Sequence, residues 1–390
     1  MKQGWEYKKL GEVCTIERGG SPRPITDYIT DSEDGINWIK IGDAKEGSKY
    51  ITSTKEKIRP EGIKKSRLVH KGDFIFSNSM SFGRPYILKV DGCIHDGWLV
   101  IHDDNEVFIK DYLYYILSSS IMYAKFSQLA VGGVVNNLNS SLVRKVAIPI
   151  PPKSTQLSII SELDKINELI RLKKEQLKDY DNLAQSIFYE MFGDLVENEK
   201  GWEVKKLGEV CTIERGSSPR PITAYITDSK DGINWIKIGD AQEGSKYITS
   251  TKEKIKPEGL KKSRFVHKGD FILSNSMSFG KPYILKIDGC IHDGWLVIHD
   301  NNNVFIKIYL YYLLASSIMY AKFSKLAVGG VVNNLNSSLV RKVDVSIPPL
   351  PLQHLFAQRI EQIEHQKSEV TKAITDLETL LASRMQHWFE

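Results

Sequence analysis

Apolar side chains recur at Ile159, Leu163, Ile166, Ile170, Leu177, Tyr180, Ala184, Ile187 and Met191, alternately four and three residues apart, with one break at Lys173. That spacing is a coiled-coil seam and predicts a helix from Ser154 to about Phe192. At ~1.5 Å per residue such a helix is ~57 Å long, more than the interior of a compact domain requires. Pro149-Ile150-Pro151-Pro152 precedes it, and a short polar linker beginning at Gly193 follows. A second seam, Phe356, Ile360, Ile363, Val370, Ile374, Leu377, Leu381 and Trp388 with a break at Lys367, predicts a matching helix over Pro351–Phe389. Leu169, Leu172 and Phe188 fall outside a clean seam and are expected on the exposed side, available to a partner.

Ahead of each helix the period changes. Short β-rich runs lie between turn signals: Ile36–Ile41, Asp73–Phe76, Pro85–Val90 and Gly97–Ile101. Leu113, Ile116, Leu117, Ser120 and Ala124 then predict one helix, which ends before Gly132-Gly133, and a last strand is expected near Val143–Ile148. Strands and helices do not alternate regularly, which argues against a doubly wound nucleotide fold.

The same pattern occurs twice. Trp5-Glu6-Tyr7-Lys8-Lys9-Leu10-Gly11-Glu12-Val13-Cys14 returns as Trp202-Glu203-Val204-Lys205-Lys206-Leu207-Gly208-Glu209-Val210-Cys211. The register stays gapless as far as Arg341-Lys342-Val343, and only about 20 of roughly 144 aligned positions differ. Several differences remove or reverse acid: Asp27 to Ala224, Glu33 to Lys230, Glu106 to Asn303, Asp111 to Ile308. The two long segments, by contrast, share little beyond their apolar pattern. The expected fold is α+β: two near-identical α/β-mixed domains separated by two long helices that form an antiparallel coiled coil. The expected boundaries are a first domain at 1–150, a helical spacer at 151–194, a second domain at 195–347 and a second spacer at 348–390.

Composition adds bounds. The 390 residues are 41% hydrophobic and 26% charged, with no apolar run long enough to span a bilayer. The first residues carry no secretory pattern, so the cytoplasm is the expected compartment. Cys14, Cys93, Cys211 and Cys290 are two positions seen twice, without CxxC spacing, and read as buried free thiols. A formal net charge of +5 permits nucleic-acid binding without arguing for it.

Catalytic signatures are missing. There is no phosphate loop and no strand-linked GxGxxG. His95-Asp96 and His292-Asp293 lack further ligands at metal spacing and read as turns. Pro151-Pro152 and Pro348-Pro349 have no preceding Asn and open helices, so they are not a methyltransferase element. What remains suits a reader of surfaces. Gly19-Gly20-Ser21-Pro22-Arg23-Pro24 is a stiff loop offering Arg18, Ser21 and Arg23, repeated as Arg215, Ser218 and Arg220. Arginine grips phosphate or forks onto guanine O6 and N7. Lys64, Lys65 and Arg67, with Lys261, Lys262 and Arg264, add a positive patch, and Lys40 and Lys237 extend it. Ser77, Asn78, Ser79 and Arg84 form a polar loop, repeated as Ser274, Asn275, Ser276 and Lys281; an Asn amide matches adenine N6 and N7. Asn136 and Asn137, with Asn333 and Asn334, offer amides in a Gly-rich turn.

Taken together, Trp5…Leu10-Gly11-Glu12-Val13, Lys71-Gly72-Asp73-Phe74, Gly132-Gly133…Asn137-Leu138 and Ile148-Pro149-Ile150-Pro151-Pro152…Gln156 occur in this order, and the order returns from Leu207 onward, ending in Ile347-Pro348-Pro349…Gln353. In that arrangement the whole chain resembles the specificity subunit of type I restriction-modification systems. Members of that family usually carry two unlike recognition domains, whereas these are near copies. The resemblance implies two target-recognition domains, each in the major groove over half of a bipartite site, and two helices that set the spacing and bind two modification subunits. It implies no catalysis and no cofactor in this chain, with S-adenosylmethionine, ATP and Mg2+ on partner subunits, among them possible restriction-translocase subunits. Antiparallel helices would relate inverted half-sites on the order of 10–15 bp apart. Two alternatives stand beside this reading: a stand-alone tandem DNA-binding regulator, and a self-sufficient nuclease or methyltransferase.

Overall fold

The computed structural model describes residues 2, 4–45, 47–78, 83–130, 138–194, 197–242, 244–275, 280–327 and 335–390. The chain divides into two compact units: residues 1–174 with 372–390, and residues 175–371.

In the first unit, two five-stranded sheets form the domain. One runs in the order Ile29–Thr30, Glu56–Ile58, Ile36–Ile39, Gly92–Ile94, Arg67–Val69, and the other Thr15–Arg18, Trp98–His102, Phe74–Ser77, Pro85–Leu88, Tyr50–Ile51. Neighbouring strands are antiparallel except Ile36–Ile39 with Gly92–Ile94 and Tyr50–Ile51 with Pro85–Leu88. Side-chain alternation explains why both faces of the second sheet are apolar. Trp98, Val100, Ile75, Tyr86 and Leu88 fill the core between the sheets. Leu99, Ile101, Phe74, Phe76 and Ile87 face the opposite way, onto helices. Those helices are Lys110–Ser118 and Ser120–Ala130, where a single helix was expected. The break is at buried Ser119, whose hydroxyl donates to the Ile116 carbonyl (2.7 Å) and accepts from Met122 N–H (3.3 Å). A hydroxyl bonding locally competes with the helical ladder.

The expected strand over Val143–Ile148 is instead a short helix, Ser140–Arg144, followed by the strand Ala147–Ile150. Asn139 caps the helix, its side chain accepting from Leu142 N–H at 3.0 Å. The strand pairs with Glu6–Lys9, so the chain closes the domain before the first long helix, Lys153–Phe192, begins. Gln156 fixes that start. Its side-chain oxygen accepts from Ile109 N–H (2.8 Å) and its amide donates to the Val107 and Pro151 carbonyls (3.1 Å each). Gln353 repeats these contacts in the second unit with Ile306, Val304 and Pro348.

The second long helix spans Leu350–Phe389. Within the first unit it pairs antiparallel with the first. Glu162 bonds Arg384 and the Trp388 indole, Lys174 meets Glu378 at 2.8 Å, and Ile159, Leu163, Ile166, Ile170 and Ile374 are buried. In the second unit Asp181 pairs with Lys367, and the rings of Phe188 and Phe356 lie 5.5 Å apart. Ile360, Ile363 and Val370 are buried there, while Leu177, Leu377 and Leu381 are half-buried in their respective units.

One expectation about the first helix is overturned. Phe188 is 1% exposed, packed with Ala184, Phe192, Tyr309 and Phe356, and is not free for a partner. Beyond Lys173 Ala184 keeps its place in the seam, but the fully buried positions after it are Phe188 and Phe192 and not the half-buried Ile187 and Met191, because there the helix packs on a domain core as well as on its partner helix. Leu169 and Leu172 do remain exposed. The second domain repeats the first strand for strand. All four cysteines are buried and free, and burial pushes the Cys14 and Cys211 thiols up to about 12.

Candidate nucleic-acid interface

The chain reverses at His95-Asp96-Gly97, with the Trp98 N–H donating to the His95 carbonyl at 3.1 Å. This turn joins a strand of one sheet to a strand of the other, and three distant segments converge on it. The strand Thr15–Arg18 runs into Gly19, whose backbone crosses the turn so closely that a Cβ would stand 2.2 Å from the His95 carbonyl oxygen. Glycine is demanded there by proximity. Gly20 approaches the Lys65 carbonyl, and at the equivalent position Ser217 bonds Lys262 O through its hydroxyl (3.2 Å).

Asp96 is the hub of the cluster. Its Oδ1 accepts from the Ser21 hydroxyl at 2.8 Å, and its Oδ2 faces Arg23 Nη2 at 3.4 Å. Its backbone carbonyl accepts from Arg18 Nε (2.9 Å) and from the Asn78 amide (3.0 Å). Arg67 Nε donates to the Arg18 carbonyl at 3.0 Å, and its guanidinium pairs with Glu17 at 2.9 Å. Lys65 donates to the Tyr28 hydroxyl at 2.8 Å and lies over that ring. Partial burial works to raise the Asp96 carboxyl, but the Ser21 hydrogen bond and the neighbouring His95 and Arg18 outweigh it and hold it below the usual range. Burial pushes the His95 imidazole down, and its Nδ1 accepts from Gly97 N–H at 2.6 Å.

The second unit rebuilds this cluster. Asp293 Oδ1 accepts from the Ser218 hydroxyl at 2.8 Å, its Oδ2 faces Arg220 Nη2 at 3.4 Å, its backbone carbonyl accepts from Arg215 Nε at 2.9 Å, and Arg264 Nε donates to the Arg215 carbonyl at 2.8 Å. Beside it opens a cleft of about 940 Å3, walled by Arg220, Trp235, Lys237, Glu253, His292 and Asp293. Lys237 and Glu253 pair across it, as Lys40 and Glu56 do in the first unit.

The structure therefore gathers Arg18, Ser21, Arg23, Lys65 and Arg67 into one basic surface, with Lys40 tied to Glu56 at the neighbouring strand end, and does the same with their counterparts. Lys64 and Lys261 are exposed on the same short helices as Lys65 and Lys262. Arg84 stands apart, lining a separate hollow of about 500 Å3 with Tyr86, Tyr114 and Tyr123, and Lys281 is likewise exposed. Ser77, Asn78, Ser274 and Asn275 correct the expectation of outward polar contacts. They are at most 1% exposed and bond inward: Ser77 with Arg84 N–H (3.0 Å), Asn78 with the Asp96 carbonyl. Ser79, Asn136, Asn137, Ser276, Asn333 and Asn334 lie outside the described residues. The residue that sequence reasoning missed is Asp96. The duplicated His-Asp pair was visible and does form a turn, but nothing local marked its carboxylate as a hub.

Residues 2–179 and 199–379 each match the type I restriction modification DNA specificity domain. The chain belongs to that family. This specificity chain is 25% identical to the type I restriction enzyme MjaIX specificity subunit of Methanocaldococcus jannaschii, over 63% of its own length and 60% of that protein, less than two thirds of it. Against the MjaVIII specificity subunit of the same organism it is 21% identical over 98% of its length and 92% of the relative. A solved structure from work on complex assembly and conformational transition of the type I R-M system superposes with a TM-score of 0.67, at 20% identity, over 99% of this chain and 97% of that one, which establishes the fold. Specificity subunits are the non-catalytic components of such systems, and this chain is one of them. The stand-alone regulator is the less favoured reading. Among the described residues no cluster of His, Cys, Asp or Glu suits a metal ion, and no helix is long and apolar enough to cross a membrane.

Proposed function

We propose that this specificity chain sets the target of a type I modification complex by laying one arginine-rich cluster per domain on each half of an interrupted, near-palindromic DNA site. The observation that carries this reading is the convergence of Arg18, Ser21 and Arg23 on Asp96, with Arg67 bound to the Arg18 carbonyl, repeated by Arg215, Ser218 and Arg220 on Asp293, with Arg264 bound to the Arg215 carbonyl. Matching distances agree closely, the largest difference being 3.0 Å for Arg67 against 2.8 Å for Arg264. Two domains with the same reading groups read the same half-sequence. The antiparallel run of the helices, seen inside each unit, supports inverted half-sites. Arg84 to Lys281 is the one substitution among the basic residues named as candidate DNA contacts, and the lysine lacks a fork.

In this reading the long helices space the domains and dock two modification subunits along the faces that carry Leu169 and Leu172. S-adenosylmethionine, ATP and Mg2+ act on the partner subunits, and the complex works in the cytoplasm. The test is DNA binding by the complex, comparing wild type with Arg18→Ala/Arg215→Ala across a salt series. The reading expects weaker binding and a log–log salt slope shallower by about one for each phosphate that the arginines no longer neutralise. Unchanged affinity and slope would place the DNA elsewhere on the domains.

A further inference from the structure

We infer that Asp96 and Asp293 are positioning residues for a guanine-reading arginine: each carboxylate holds Arg23 or Arg220 so that its fork meets guanine O6 and N7, which puts one guanine in each half-site. This rests on the DNA-reading role of the cluster and adds a base to it.

The geometry separates these arginines from the other two in the cluster. Arg18 spends its Nε on the Asp96 backbone carbonyl, and Arg67 is bound to Glu17 and to the Arg18 carbonyl. Arg23 instead projects between Pro22 and Pro24 with 79% of its side chain exposed, touching Asp96 through one terminal nitrogen. The rest of its fork is presented outward. The carboxylate that steadies it is fixed in turn: Ser21 donates to Oδ1 at 2.8 Å, and the Asp96 carbonyl is held by Arg18 and Asn78. Oδ2 is thereby left to Arg23.

Such a pair, open to water, contributes little to folding. Its consequence lies in recognition. A long arginine loses rotamer freedom when it binds, and a carboxylate that restrains it beforehand lowers that cost. The acid also steers the guanidinium to a base, because a carboxylate 41% exposed at that place is repelled by backbone phosphates. An arginine fork over O6 and N7 suits guanine alone among the four bases in the major groove. The second domain repeats the arrangement with Arg220 80% exposed, 3.4 Å from Asp293, and Ser218 at 2.8 Å.

The experiment uses the complex with its modification subunit on a library in which each target position is varied in turn, for wild type, Asp96→Asn/Asp293→Asn and Asp96→Glu/Asp293→Glu. Wild type is expected to require guanine at one symmetric position per half-site. The Asn variant should lose discrimination there by about ten-fold or more, keeping selectivity at the other positions, and the Glu variant should restore part of it. Replacing that guanine by 7-deazaguanine, which lacks the N7 acceptor, should weaken wild type and leave the Asn variant little changed. If the Asn variant does not fold, Arg23→Lys/Arg220→Lys retains charge without the fork and should show the same single-position loss. A uniform drop across all positions, or half-sites without guanine, overturns the inference. Wild-type modification with no sequence preference at all would instead defeat the underlying DNA-reading role.

Discussion

Lys246, 7% exposed in the second domain, donates to Glu364 of the second long helix at 2.9 Å, whereas its counterpart Lys49 pairs with Asp111 inside its own domain. Two substitutions account for the exchange. Asp111 has become Ile308, and the helix position matching Asn167 has become Glu364. Asn167 instead donates to the Tyr115 hydroxyl at 3.1 Å, and that hydroxyl also bonds Asp164. The near-copies are thus each fitted to their own helix around this lysine. Burial pushes the Lys246 ammonium down, and Glu364 offsets part of that.

Removing the acid should leave a buried lysine without its carboxylate. Glu364→Gln is expected to cost about 1–3 kcal/mol, less than a fully buried pair because Glu364 is one third exposed. Adding Ile308→Asp to that variant recreates the first domain's arrangement and should recover most of the loss. Thermal melts arranged as a double-mutant cycle check this, and additive effects would contradict it.

The two faces of the first long helix should respond oppositely to charge. Phe188→Asp places a carboxylate among Phe192, Tyr309 and Phe356 and should unfold the second unit or cost upward of about 3 kcal/mol. Leu169→Asp/Leu172→Asp, at 47% and 46% exposed sites, should leave the melt within about 0.5 kcal/mol of wild type while reducing co-purification with the modification subunit. Full retention of that subunit would remove the docking role from this face.

Much of this was legible because long periodic patterns survive tertiary context. The duplication, both helices and the strands near Ile36, Phe74, Pro85 and Trp98 follow directly from spacing. The Asp96 cluster was not, because its contacts join residues 73–78 positions apart, and no local pattern encodes such a closure. The inward turn of Asn78 was hidden for a similar reason: its amide is spent on the Asp96 carbonyl, 18 residues on. Phe188 was misplaced because a seam assumes one packing partner, and this part of the helix has two.

Gly19 and Gly216 should tolerate no side chain, since a Cβ would stand 2.2 and 2.1 Å from the carbonyl oxygens of His95 and His292. Gly19→Ala should destabilise the first domain by roughly 2 kcal/mol or more and weaken DNA binding, since the loop carrying Arg23 must move. Gly20→Ser, which copies Ser217, should be nearly neutral. Melting curves and binding isotherms for the two variants make the comparison.

Acid should loosen the cluster. The folded pKa of His95 and of His292 lies below 6.5 because of burial, so the unfolded chain binds more protons as pH falls beneath that value. Stability is therefore complete above about 6.5 and declines as pH drops through the folded pKa values. His95→Gln/His292→Gln should flatten the pH dependence of the melting temperature below about pH 6.5, and an unchanged slope would assign the loss to other groups.

The most direct test of the central claim is the methylation map of DNA from a host carrying this chain with its modification partner. Two matching domains predict one interrupted target whose half-sites are the same sequence in inverted orientation. Two unrelated half-sites would contradict the account.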